Sequence, residues 1–177
     1  MLEIQSERLY YKELTEDDVT ENYVSWLNHP NINRYLELRH QVHTLESCRD
    51  FVVRMATSET DYLFGIFLNT EKKHIGNIKI GFINQDHKTA QLGLLIGDTN
   101  FWGQGFASEA IQTMTKWCFD SLGLQKLEAG CYEDNMGSLR AFLKSGYQVE
   151  GFLRSHVLLK GRRTGNFCLG VLPCEVN

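Results

Sequence analysis

The stretch Trp102-Gly103-Gln104-Gly105-Phe106-Ala107-Ser108-Glu109-Ala110 decides how this 177-residue chain is read. An apolar run at 92–96 precedes it. After it, Ala107, Ala110, Ile111, Met114 and Cys118 recur at i, i+3, i+4, i+7 and i+11, which predicts an amphipathic helix over about 105–121. The first turn of a helix carries backbone N–H groups without internal partners, and the helix dipole adds partial positive charge there. A glycine-rich turn leading into such a helix can therefore hold an anion such as a pyrophosphate. Gly103 and Gly105 bring no Cβ between backbone and phosphate, Ala107 is small, and Ser108 adds a hydroxyl donor. The plainer alternative is a tight strand-to-helix turn whose glycines serve geometry alone. The dinucleotide-binding fingerprint is not met: the spacing is not G-x-G-x-x-G, and no acidic residue closes the next strand.

Downstream, a strand at about 126–132 leads into Asn135-Met136-Gly137-Ser138, the start of a second helix over about 135–144 with Leu139, Phe142 and Leu143 inward. Asn135 suits a helix cap and equally a hydrogen bond to a ligand amide. Gly146 is placed to end that helix, and residues 147–171 read as two strands joined at Lys160-Gly161-Arg162-Arg163. Upstream, residues 62–68 form a continuous apolar run, 69–73 a polar turn, and Ile78, Ile80 and Phe82 alternate with Lys79 and Gly81 as in a half-buried strand. The run at 92–96 is apolar on both faces, which places it centrally in a sheet. The chain opens with a strand over about 2–12. Thr15, with Asp18 three residues on, reads as a helix start followed by Val19, Tyr23, Trp26 and Leu27 at helical spacing up to Pro30. Thr44 caps a further helix whose apolar face is Leu45, Cys48, Phe51, Val52 and Met55. The sum is one mixed α/β domain over 1–177: two helices early, a run of strands, then strand-helix-strand-helix-strand-strand.

Hydrophobic residues at 42% and charged residues at 23% are ordinary for a globular protein and argue against disorder. A net charge of -4 and a pI of about 5.9 disfavour nucleic-acid binding through a broad basic surface. Lys160, Arg162 and Arg163 read as a solvated turn. Five cysteines without CxxC spacing argue against a disulfide framework or a zinc site, so no metal is expected and a reducing cytoplasm is. The opening MLEIQSERLYY lacks the cationic-then-apolar pattern of a signal peptide, and no segment approaches the ~20 apolar residues that span a bilayer. No membrane partner is expected.

The run Ala90-Gln91-Leu92-Gly93-Leu94-Leu95-Ile96 followed by WGQGFASEA resembles the acetyl-CoA motif of the GNAT superfamily of N-acetyltransferases, Q/R-x-x-G-x-G/A, with Gly105 and Ala107 in the fourth and sixth places. Trp102 stands where Gln or Arg is commonest, as in the RimJ/RimL-like branch. Glu128 through Asn135 and Ser138 to Gly146-Tyr147 resembles that branch's second motif. Ser6-Glu7-Arg8-Leu9, Tyr23 to Pro30 and Arg34-Tyr35-Leu36-Glu37 resemble its substrate side, closest to members that acetylate nucleotide-linked amino sugars.

The resemblance implies a GNAT fold: a mixed, mostly antiparallel central sheet, splayed at the acetyl-CoA site and flanked by helices. It implies acetyl-CoA as cosubstrate and an amine-bearing acceptor, with direct attack on the thioester and a homodimer allowed. The pantetheine arm would pair along Leu94, Leu95 and Ile96, where N–H groups polarise the carbonyl. The pyrophosphate would lie on Gly103, Gln104, Gly105, Phe106, Ala107 and Ser108, with Asn135 and Ser138 near the arm. Two familiar groups are missing. Phe142 stands where a general-acid Tyr is frequent, and Gln91 where a Glu is. The replacements offered are Glu128, Tyr132 and Ser138, with His156 and a water relay as further options. Arg34, Glu37 and Arg39 are the candidate substrate contacts, Arg39 through its planar fork on a phosphate. The acceptor stays open among an amino sugar nucleotide, a protein N-terminus (ribosomal proteins included), and a polyamine or antibiotic. A non-catalytic acetyl-CoA-binding module is the remaining alternative.

Overall fold

The computed structural model describes residues 3–176. In chain order the strands are β1 (Glu3–Gln5), β2 (Leu9–Glu13), β3 (Tyr62–Leu68), β4 (His74–Asn84), β5 (Thr89–Ile96), β6 (Lys126–Tyr132), β7 (Gln148–Leu159) and β8 (Arg162–Val171). The helices are α1 (Glu21–Asn28), α2 (Leu45–Ala56), α3 (Phe106–Leu122) and α4 (Met136–Lys144). The strands form a mixed sheet in the order β1-β2-β3-β4-β5-β6-β8-β7, mostly antiparallel, with β5 and β6 as the parallel pair. By internal contacts the chain divides into two compact units, Met1–Lys79 with Leu94–Phe106, and Ile80–Gly93 with Ala107–Asn177.

In the first unit α1 and α2 pack their apolar faces on β2 and β3. Tyr23, Trp26, Leu27, Cys48 and Val52 join Tyr10, Leu63 and Phe67 in one buried cluster, with Leu45, Phe51 and Met55 partly buried against it. Thr44 caps α2 as its sequence predicts, its hydroxyl accepting from Ser47 N–H. Thr15 does not start α1. The Asp18 carboxylate turns back onto the Thr15 N–H and hydroxyl, both at 2.9 Å, and takes the Lys12 ammonium at 2.6 Å. That leaves only a single 3-10 turn, and α1 begins after Thr20, whose hydroxyl accepts from Tyr23 N–H. The first expected strand is two: Ser6 N–H bonds to Leu9 C=O and folds β1 back on β2 as a hairpin. Leu2 lies outside the described residues.

In the second unit α3 buries Ala110, Ile111, Met114 and Cys118 of the predicted stripe completely, and Ala107 only in part. On α4, Leu139 and Phe142 point inward with Ala141. Leu143 is 44% exposed, against expectation, because the inward stripe passes through Ala141 instead. Gly146 ends α4 at φ +93, and Lys160-Gly161, both at positive φ, form the β7–β8 turn. Phe82 also departs from the expected alternation. Its φ of +55 breaks the two-residue period of β4, so Phe82 is 70% exposed and Ile83 is buried. Among the described residues no helix is long and apolar enough to cross a membrane.

Candidate active site

The turn between β5 and α3 is built from the strand end outward. Ile75 C=O accepts both Gly97 N–H (2.8 Å) and Asp98 N–H (3.2 Å), which fixes where β5 stops. The Trp26 indole lies flat against Gly97, so that a Cβ there would run into the ring. Asp98 then caps a 3-10 turn, Thr99–Phe101, by accepting from Asn100 N–H at 3.0 Å. Burial alone would push the Asp98 carboxyl up. The Lys73 ammonium at 2.7 Å and the Asn100 N–H override this and hold it below the usual carboxylate range. Trp102 returns its indole N–H to Ile96 C=O at 2.7 Å.

The glycines come next, Gly103 at φ +73 and Gly105 at φ +84. Their positive φ is the protein-side reason for glycine, since no side chain other than the tip of Arg8 lies near either missing Cβ. Alternating hand along a turn directs successive N–H groups to one concavity, an anion nest. Among the described residues, none of the backbone hydrogen bonds outside helices and strands is donated by Gly103, Gln104 or Gly105. Phe106 is buried edge-on against Phe101 at 5.5 Å and anchors the first residue of α3. Ala107 is half-buried and Ser108 buried, with Ser108 C=O accepting from the Ser145 hydroxyl at 3.2 Å. The positive φ at Gly103 and Gly105 accounts for the two glycines as turn geometry.

Sequence reasoning missed the residue that braces this turn. Arg8 follows β1, 96 positions from Gln104, and its guanidinium donates to Gln104 C=O at 3.0 Å while lying 4.1 Å from the Phe106 ring centroid. Nothing local in the sequence links the two segments.

In the second unit, β5 pairs with β6 through Thr89↔Lys126, Ala90↔Leu127 and Gln91↔Glu128. The register does not continue through Leu92 and Gly93. On β5 beyond that point, Leu94 and Leu95 are half-buried and Ile96 buried, so the strand is central without being covered on both faces as expected. Gln91 and Glu128 are cross-strand neighbours and so share a face of the sheet. Alternation along β6 puts Glu128, Gly130 and Tyr132 on that face and Ala129 and Cys131 on the other. Ser138 goes with Cys131: its hydroxyl hydrogen-bonds the Cys131 sulfur, which also donates to Asn135 C=O at 3.3 Å. Burial raises the Cys131 thiol, and the Ser138 and Leu139 bonds offset this only in part, so the sulfur is held protonated. The three proposed catalytic groups thus fall into Glu128 with Tyr132 on one face and Ser138 by itself on the other.

Asn135 resolves into a cap. Its Oδ1 accepts from Ser138 N–H at 3.3 Å, leaving the two Nδ2 donors for another acceptor. Phe142 belongs to the core, 2% exposed and edge-on to Tyr147, whose hydroxyl is tied to Thr115 at 3.1 Å. His156 is exposed, in the irregular stretch of β7 between Leu153 and Val157. On the substrate segment of the first unit, Arg34 is exposed with its guanidinium over the Tyr35 ring at 4.5 Å. Arg39 is turned inward, 12% exposed, donating to Leu36 C=O at 2.7 Å and standing 3.4 Å from the exposed Glu37 carboxylate. Its fork is engaged with its own turn. Among the described residues no cluster of His, Cys, Asp and Glu could hold a metal ion.

The mixed eight-stranded sheet, mostly antiparallel with β5 and β6 as its parallel pair, is that of the GNAT fold. The Acetyltransferase (GNAT) domain family matches residues 8–148, and the chain belongs to it. The uncharacterized N-acetyltransferase YoaA of Bacillus subtilis strain 168 is 29% identical over 164 residues, 89% of each chain. Among solved structures, spermidine N-acetyltransferase from Vibrio cholerae in complex with CoA and spermine superposes with a TM-score of 0.85 at 20% identity, covering 96% of this chain and 98% of that one. A candidate ribosomal-protein-serine acetyltransferase from Vibrio cholerae gives 0.76 at 23% identity, covering 97% and 98%. GNAT acetyltransferases use acetyl-CoA, and this chain is an enzyme of that kind.

Proposed function

We propose that the chain, as a single RimJ/RimL-like acetyltransferase domain, transfers acetyl from acetyl-CoA to the primary amine of a small molecule, a nucleotide-linked amino sugar in the first instance, with Glu128 as general base. One observation carries the catalytic part. The carboxylate absent at Gln91 is supplied one strand over, by Glu128 in register with it on the same face. In the reaction Glu128 removes a proton from the acceptor ammonium. The amine nitrogen attacks the thioester carbonyl carbon, the C–S bond breaks as the C–N bond forms, the CoA thiolate leaves, and the new amide nitrogen releases its second proton, which balances the one the thiolate takes up. Tyr132, on the Glu128 face, is the nearest phenol in the strand to protonate that thiolate. Ser138 takes a positioning role at the start of α4.

The pyrophosphate rests on the amides of Gly103, Gln104, Gly105, Phe106, Ala107 and Ser108. The arm follows Leu94, Leu95 and Ile96, and the Asn135 Nδ2 group donates to it. Arg34 and Glu37 are the acceptor contacts, since the exposed Arg34 on Tyr35 offers a cation over a ring. Arg39 holds the segment that carries them.

The test is CoA release from acetyl-CoA against an amino sugar nucleotide, spermidine, an aminoglycoside, and peptides beginning with Ala or Ser. Selective turnover of the amino sugar nucleotide is expected. Selective turnover of spermidine or of a peptide would move the acceptor to that class. No turnover of any amine by protein that binds acetyl-CoA would leave the binding-module reading.

A further inference from the structure

We infer that Arg8 is a positioning residue for the acetyl-CoA phosphates, acting through the Gln104 peptide. This rests on the placement of the pyrophosphate at the β5–α3 turn proposed above.

A turn that binds an anion must sort its dipoles, with N–H groups toward the phosphate and C=O groups away. A peptide is planar and trans, so its C=O and the following N–H point in opposite directions. Fixing the direction of Gln104 C=O therefore fixes that of Gly105 N–H. With glycine at position 105 on one side of it, that plane can turn over without a Cβ of residue 105 in the way. Local side chains do not restrain it. Trp102 uses its indole N–H on Ile96, and the Gln104 amide reaches back to Asn100 C=O. Arg8 supplies the restraint from outside. Its Nη1 donates to Gln104 C=O at 3.0 Å, and its plane lies 4.1 Å from the Phe106 ring centroid. The ring belongs to the first residue of α3 and is itself buried against Phe101, so the guanidinium is registered on a fixed platform.

Two consequences follow. Gly105 N–H is directed away from Arg8, into the concavity. A full positive charge also stands behind the turn, adding to the helix dipole without occupying the phosphate's place. An arginine suits this position better than a lysine, because only the planar fork stacks and donates at once.

The experiment is tryptophan-fluorescence titration of the full chain with CoA and with pantetheine, which lacks the phosphates, in wild type, Arg8→Gln, Arg8→Lys and Phe106→Leu, with circular dichroism to check folding. Arg8→Gln should weaken CoA about tenfold, the scale of one charge-assisted hydrogen bond, and leave pantetheine unchanged. Arg8→Lys and Phe106→Leu should fall between, each removing the stacking while keeping a cation. Unchanged CoA affinity in Arg8→Gln, or an equal loss for both ligands, would overturn the assignment. Wild-type protein that binds pantetheine no worse than CoA would overturn the phosphate placement itself.

Discussion

The protein has two successive strand-to-helix junctions, β5 into α3 and β6 into α4, and they solve the same problem in opposite ways. Each must deal with the unpaired N–H groups of a helix start. At the second, Asn135 closes the account internally: its Oδ1 takes Ser138 N–H, and Asn135 N–H bonds to Tyr132 C=O at 2.8 Å. At the first, the side chains that turn back, Trp102 and Gln104, donate to the carbonyls of Ile96 and Asn100. Two glycines at positive φ open the turn, and its carbonyl is taken by Arg8 from a distant hairpin. One junction is closed by its own cap, and the glycine turn of the other is braced by a residue 96 positions away. The strands that feed them differ in the same sense, Gln91 on β5 being inert to proton transfer and Glu128 on β6 being able to accept a proton. In the function proposed here, anchorage of acetyl-CoA and chemistry on the acceptor fall to different βα steps.

Breaking the chemical step should give the largest effect. Glu128→Gln keeps size and register but cannot take a proton, and we expect kcat to fall by roughly 10²–10⁴-fold with CoA affinity unchanged, as for loss of a general base. The readout is a KM-against-kcat split with the best amine of the panel. A drop below about threefold would remove Glu128 from the mechanism. Next in size is the open junction. Gly105→Val places a β-branched residue at φ +84, which costs several kcal/mol of strain or forces the turn to another shape. Affinity for CoA should fall by about 100-fold or more, by calorimetric titration, while α3 stays folded. Unchanged affinity would mean that the amides of this turn do not hold the phosphates.

What the sequence makes legible follows from how local each cause is. The periods of α2 and α3 are set by residues within a few positions of one another, and those helices lie where the pattern puts them. The glycine turn between β5 and α3 is legible for the same reason, its glycines, its strand and its helix being contiguous. The misreadings have non-local or single-residue causes. Thr15 fails as the start of α1 because Lys12 and Thr15 together capture Asp18. Phe82 points outward because one residue takes a left-handed φ. Arg8 at the turn is invisible because its partner is 96 residues away. That Gln91 and Glu128 are cross-strand neighbours shows only once the parallel register of β5 and β6 is known.

The closed junction yields a sharper test, because cap and ligand donor reside on different atoms of one side chain. Asn135→Ala removes both and should cost ~1 kcal/mol of stability, a Tm lower by roughly 2–4 °C, along with affinity for CoA. Asn135→Asp keeps an acceptor for Ser138 N–H and loses the amide donors. It should retain the wild-type Tm while binding CoA as poorly as Asn135→Ala. If Asn135→Asp binds CoA like wild type, the residue is a cap only.

The gentlest prediction concerns the floor of the open junction. His74 precedes Ile75, whose carbonyl stops β5, and its ring is stacked on Phe67 (4.6 Å between centroids) and edge-on to Trp26 (5.1 Å). Burial among these rings lowers its pKa from 6.5. The bonds of Nε2 to Asn77 Oδ1 and Gly76 C=O and the charge of Asp18 oppose that, and the Lys12 charge adds to it. The folded state therefore binds this proton less readily than the unfolded chain. Stability from His74 is full above its unfolded value, about 6.5 for an ordinary histidine, and declines as pH falls from there toward the depressed folded pKa. Carboxylates held low by partners, Asp18, Asp61 and Asp98, lose their contribution only in a more acid range, below the ordinary carboxylate pKa of 3.8. Urea denaturation between pH 7.5 and 5.5 separates the two. Wild type should lose stability across that interval and His74→Gln should lose less, since glutamine fills much of the same space and can donate to Asn77 without titrating. Parallel pH dependence in the two proteins would assign the loss to another group and leave the floor of the turn indifferent to protons.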